Sequence, residues 1–122
     1  MFSYMLVFIG GGLGASLRYL MSMIFATHLK YPYGTFIINV LGSFLLGFIL
    51  MSSLSKTGTG LKLNTFLTIG FAGGFTTFST FTYEAINLIN QGLILQSIFY
   101  IFLSIICGMI GIYMGISMAK VI

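Results

Sequence analysis

The sequence predicts an all-α integral membrane protein of four transmembrane helices, the third of them broken part-way across the bilayer. Three observations predict it. Five basic residues and one acid among 122 cannot furnish a water-facing surface, and 58% of the residues are hydrophobic; soluble domains carry roughly 25% charged residues. Four spans of about 20 residues with short loops fill this length, which leaves a single membrane domain. The third observation is the stretch Gly70 to Phe81. It lies in an apolar segment, yet holds Gly70, Gly73 and Gly74, then Thr76, Thr77, Ser79 and Thr80. Each glycine weakens a helix by about 1 kcal/mol relative to alanine.

The spans fall near residues 4–27, 34–54, 63–89 and 97–119. Residues 4–27 read as a first span rather than a signal peptide, because no basic segment precedes the apolar run. Gly10 and Gly14, like Gly11 and Ala15, are four apart and form a small-residue face for close helix packing. The glycines are not a nucleotide fingerprint, since no strand precedes them. Arg18 lies deep in this span, where an arginine must be solvated or paired. It serves either as a structural anchor or as a positive vestibule. His28 has no acidic or cysteine neighbour and does not suggest a metal site. Lys30, Tyr31, Pro32 and Tyr33 form the first loop, with the tyrosines suited to the membrane interface.

In the second span Thr35, Asn39, Gly42 and Ser43 share one helical face. The Asn39 amide either makes an interhelical hydrogen bond or donates to a passing anion. Residues 52–62 read as a polar second loop. The third span, taken as one helix over 63–89, is long for a bilayer, and a break at 70–76 resolves this. Backbone freed at membrane depth must be covered by protein or line a water-filled path, and its carbonyls suit a bound cation. Beyond the break Phe78 and Phe81 share a face, and Thr77, Thr80 and Glu84 share a neighbouring one. Glu84, the sole acid, reads as a water-facing helix end. Asn87, Asn90, Gln91 and Gln96 read as the third loop. The fourth span carries Tyr100 and Ser104 four apart, then Gly108, Gly111 and Gly115 as a small-residue face. Cys107 reads as a small apolar packing residue.

The inventory excludes whole classes of chemistry. With no aspartate, one glutamate, one histidine and one cysteine, neither a catalytic triad nor a pair of carboxylates can be assembled. A metal site of soft ligands lacks members too, so the chain does not read as an enzyme. The net charge of +4 does not indicate nucleic acid, because Lys30, Lys56, Lys62 and Lys120 lie at predicted span ends. A pore remains. Amides, hydroxyls and an arginine donate hydrogen bonds, and phenylalanine edges carry the positive part of the ring quadrupole. A narrow path lined this way replaces the hydration of a small anion.

The segments Gly11-Gly12-Leu13-Gly14-Ala15-Ser16-Leu17-Arg18-Tyr19, Gly34 to Phe44 and Gly70 to Phe81 resemble the fluoride channel family, Fluc, also called CrcB. The resemblance spans all four predicted helices and is carried by the Thr76-Thr77-Phe78-Ser79-Thr80-Phe81 run, the Asn39 context and the Arg18-Tyr19 pattern together. It implies a passive, fluoride-selective channel of the bacterial plasma membrane that lets the membrane potential drive fluoride out and so reduces its toxicity. It implies an antiparallel, dual-topology dimer with two pores and a central structural sodium ion, held here by the backbone carbonyls of Gly73 and Thr76. The implied pore residues are Asn39, Phe78 and Phe81, with Ser79 and Thr80 as nearby hydroxyl donors, Tyr100 and Ser104 as a polar track, and Arg18 at a vestibule. Some members continue the track one turn beyond Ser104, where this chain has Gly108. Lys56, Lys62 and Lys120 lie on one side of the predicted topology and Lys30 on the other. That bias leaves open an antiparallel homodimer or a heterodimer with a paralogous subunit. Two other readings compete: a small four-helix multidrug exporter, which would place a glutamate in the first span, and a non-transporting accessory subunit.

Overall fold

The computed structural model describes residues 1–28, 32–52 and 58–121. Lys30, Tyr31 and Lys56, read above as interfacial, lie outside the described residues. The chain is almost entirely helical: α1 (Phe2–His28), α2 (Tyr33–Met51), α3 (Gly58–Thr65), a π-helical segment (Phe66–Ala72), α4 (Gly73–Phe75), α5 (Phe78–Asn90) and α6 (Ile94–Val121). Helices α1, α2 and α6 are each long and apolar enough to cross a membrane. The third predicted span is made of consecutive pieces, α3 through α5.

Three differences from the sequence reading concern this third span; the first is that residues 58–62, read as part of the second loop, already belong to α3. The residues Gly70, Gly73 and Gly74 remain helical; Gly73, for example, has φ −63° and ψ −37°. The chain leaves the helix only at Thr76 (φ −80°, ψ 156°) and Thr77 (φ −148°, ψ 122°). The glycines serve packing instead. A Cβ on Gly14 would overlap the Phe71 carbonyl, one on Gly74 would overlap that of Gly11, and one on Gly10 would lie 2.5 Å from that of Phe66. The small-residue face of α1 therefore meets the π-helical segment and α4 backbone to backbone, as predicted for helix packing through small residues.

The other close pair is α2 with α6. Gly111 meets Val40, Gly115 meets Phe44, and Gly47 meets Ile112, each through a carbonyl that an added Cβ would crowd. Residue numbers rise together along both pairs, so α1 runs parallel to the third span and α2 parallel to α6. A chain crossing back and forth four times produces this arrangement.

The third turn is tighter than the sequence suggested. Asn87 and Asn90 belong to α5 and Gln96 to α6, because α5 closes at Gly92. Its φ of 78° allows Gly92 N–H to reach the Ile89 carbonyl and Leu93 N–H to reach that of Leu88, both at 2.9 Å. This is a Schellman ending, which favours glycine at that position. Fully buried Ser97 then donates to the Ala85 carbonyl at 2.8 Å, fastening α6 to α5. The buried cluster lies beside this turn: Phe81, Ala85, Leu88 and Tyr100, flanked by Phe36 and Ile101. Large apolar residues such as Phe8, Phe99 and Met109 point outward, as lipid-facing side chains do.

Candidate functional site

The site is built around the interruption at Thr76–Thr77. Leaving the helix strands backbone groups, and groups buried away from water need partners. Asn39 on α2 meets two of them. Its Nδ2 donates to the Thr77 carbonyl at 3.0 Å and its Oδ1 accepts from the Thr77 N–H at 2.8 Å. One amide thus replaces both helical bonds of one residue. The Ala72 carbonyl accepts from Thr76 N–H (3.0 Å) and from the Thr76 hydroxyl (2.9 Å). Arg18, half-buried on α1, donates through Nε to the Gly74 carbonyl at 3.1 Å. Outside the helices' own ladders, no hydrogen bond among the described residues goes to the carbonyls of Gly73, Phe75 or Thr76.

Helix α5 restarts with Thr77 as its N-cap. The Thr77 hydroxyl accepts from Thr80 N–H at 3.3 Å, and a threonine suits that position because its oxygen meets an otherwise orphaned donor. The same hydroxyl lies 3.2 Å from the Thr80 hydroxyl and 3.3 Å from that of Ser79. Ser79 and Thr80, predicted as donors, are thereby gathered at the start of α5 around Thr77, which the sequence reading placed on one face with Thr80 and Glu84.

Phe78 and Phe81 part company in exposure. Phe81 is 8% exposed and Phe78 76%, although their rings touch, with centroids 5.7 Å apart and planes tilted by 45°. Phe81 in turn packs on Tyr100 at 5.2 Å and 53°. Aromatic pairs favour such tilted arrangements over face-to-face stacking, because the ring quadrupoles then oppose each other least. The row Phe78–Phe81–Tyr100 runs between two cavities. One, of about 230 Å³, is lined by Asn39, Ser43, Leu46, Thr76, Thr77 and Phe78. The other, of about 500 Å³, includes Tyr33, Phe36, Gln96 and Tyr100 in its wall.

Glu84 is the residue the sequence misplaced. It is 7% exposed, not a water-facing helix end. Tyr100 Oη donates to its Oε2 and Thr35 Oγ1 to its Oε1, both at 2.7 Å. The carboxylate therefore ties α5 to α2 and α6 directly beneath the ring row. The spacing of Thr77, Thr80 and Glu84 on one face of α5, opposite hydroxyls at Thr35 and Tyr100, was the available signal. Ser104 lies one turn beyond Tyr100 on α6, its buried hydroxyl without a hydrogen-bond partner among the described residues.

This geometry can be compared with known proteins. Residues 5–116 match the family model described as CrcB-like protein, Camphor Resistance (CrcB). The chain belongs to the CrcB family. Among curated CrcB relatives, a protein of Clostridium acetobutylicum named fluoride-specific ion channel FluC 2 is 46% identical over 114 residues, covering 92% of this chain and 93% of its own. A Clostridium perfringens protein named fluoride-specific ion channel FluC is 41% identical over 120 residues, 97% and 94% of the two chains. One of Phocaeicola vulgatus with the same name is 40% identical over 121 residues, 97% and 98%. The CrcB match runs across all the helices, so with its long apolar segments the chain is a multi-pass membrane protein.

Proposed function

We propose that this CrcB protein is a passive fluoride channel that exports the ion from the cytoplasm. The observation that carries the reading is the row Phe78–Phe81–Tyr100, which borders a cavity lined by Asn39, Thr76 and Thr77 at one end and a second cavity lined by Tyr33 and Gln96 at the other. An amide NH₂ carries two donor hydrogens. Asn39 spends one on Thr77, and the residue lines the first cavity. Fluoride leaves water only where donors replace its hydration, and ring edges with hydroxyls on both sides supply that replacement. The names of the relatives supply the ion. The exporter reading finds no acid on α1, and the sole acid is held by two hydroxyls. The accessory-subunit reading leaves the aligned polar groups of α2, α5 and α6 without a purpose.

The finer reading is an antiparallel dimer with two pores. Phe78 is three-quarters exposed beside polar residues, so a second subunit completes the wall it begins. Some relatives are named FluC 1 and others FluC 2, which fits either a homodimer or a pair of paralogous subunits. The carbonyls of Gly73 and Thr76 would hold a structural sodium ion. Such an ion supplies positive charge to oxygen dipoles that no protein donor meets, and the bond inventory of the break suits it. Arg18, occupied at Gly74, anchors that same turn.

Fluoride efflux from liposomes containing the purified protein, followed with a fluoride electrode, tests the reading. Wild-type protein should empty the vesicles, and Phe78→Ile or Phe81→Ile should stop it. Efflux indifferent to both changes would remove the ring row from the pathway. Replacing sodium by a bulky organic cation should weaken the dimer, and an unchanged dimer would remove the ion from the proposal.

A further inference from the structure

Helices α2 and α6 run side by side and present matched polar positions. Thr35, Asn39 and Ser43 are four apart on α2; Tyr100, Ser104 and Gly108 are four apart on α6. At the first rung Thr35 and Tyr100 share Glu84. At the third, α6 offers no side chain, but a Cβ placed on Gly108 would sit 3.7 Å from Ser43 Oγ. Ser43 therefore occupies the ground that a hydroxyl at position 108 would share.

The Ser43 hydroxyl is also uncommitted. Thr27, Thr65, Thr68, Thr76 and Thr82 each give their hydroxyl proton to a carbonyl one turn back, the usual refuge of a hydroxyl in an apolar helix. Among the described residues Ser43 makes no such bond, and it lines the same cavity as Asn39 and Phe78. A half-buried serine that forgoes its backbone partner and lines a cavity together with Asn39, Thr76 and Thr77 is available to a ligand.

We propose that Ser43 is an anion-binding residue of the pathway, supplying from α2 the donor that Gly108 leaves missing on α6. This rests on the fluoride-channel reading above. The hydroxyl would donate to the ion at the Asn39 end of the ring row, and glycine at 108 leaves the ion room beside it.

Fluoride efflux from liposomes is measured for wild type, Phe78→Ile, Ser43→Ala, and Ser43→Ala combined with Gly108→Ser or Gly108→Ala. Size-exclusion elution in detergent checks that each variant assembles. Ser43→Ala should slow efflux about tenfold, the weight of one hydrogen bond to a charged group. Gly108→Ser should restore most of the rate by returning a hydroxyl to the same ground, and Gly108→Ala should not. The rescue separates a donor from a packing role, because both second changes add a Cβ and only one adds a hydroxyl. The inference is overturned if Ser43→Ala slows efflux less than about threefold, if Gly108→Ser restores nothing, or if Gly108→Ala restores as much. Wild-type protein that passes no fluoride, or efflux untouched by Phe78→Ile, overturns the channel reading itself and this inference with it.

Discussion

Replacing Asn39 by leucine removes the side chain that holds the interruption open. Two hydrogen bonds are lost together, at 2.8 and 3.0 Å, and both polar groups of the Thr77 backbone lose their partner. A buried polar group left unmet costs about 1–3 kcal/mol, so the pair sets a ceiling of about 6 kcal/mol. Interhelical hydrogen bonds in membranes average only about 0.6 kcal/mol, because loosened helices find other partners. The cavity beside Thr77 also admits water to part of the exposed backbone. The expected loss is therefore about 2–3 kcal/mol, between these limits. Reversible unfolding in mixed micelles, titrated with a denaturing detergent and read by far-ultraviolet circular dichroism, measures it. Asn39→Asp makes the comparison sharper. Its carboxylate still accepts from Thr77 N–H but sets an oxygen against the Thr77 carbonyl, so it should be no more stable than the leucine variant. A loss below about 1 kcal/mol for leucine, or wild-type stability for aspartate, would refute the clamp.

Gly14→Ala should destabilise the fold by about 1–3 kcal/mol or more, because its Cβ would overlap the Phe71 carbonyl and neither helix backbone can yield cheaply. Gly12→Ala, with nothing within 4 Å of its added carbon, should be neutral or stabilise by up to about 1 kcal/mol; the same unfolding titration ranks the two, and equal effects would dissolve the α1 seam. Glu84→Gln should cost about 1.5–3 kcal/mol, since an amide offers one acceptor oxygen to two hydroxyl donors. A double-mutant cycle with Tyr100→Phe reads the coupling, and additive effects would mean that the 2.7 Å contact contributes nothing.

The positions of the helices were legible because apolar length and polar interruptions are local features. The Gly10–Gly14 face and the alignment of Thr35, Asn39 and Ser43 follow from helical periodicity alone, and both are found in place. The residue at which the third span breaks was not legible. Glycine content pointed to 70–76, whereas tight contact with α1 keeps those glycines helical and Asn39, 38 positions away, dictates the departure at Thr77. Glu84 escaped for the same reason. Its place near the end of a hydrophobic run suggests water, and only the arrival of Thr35 and Tyr100 from other helices makes it interior. Phe78 and Phe81 have equivalent spacing, and it is the restart of α5 that turns one outward and the other in.

The glycine contacts between α2 and α6 fix what kind of control this protein permits. Carbonyls of Val40, Phe44 and Ile112 rest where side chains would otherwise stand, so at these three points no side chain separates the two helices. They cannot slide or tilt by small repacking steps; moving one past the other means parting backbones outright. A gate that opens by helix displacement has no foothold on this wall. In the channel proposed above, a switch of conductance would then work at the scale of a single side chain turning about its own bonds, fast and local.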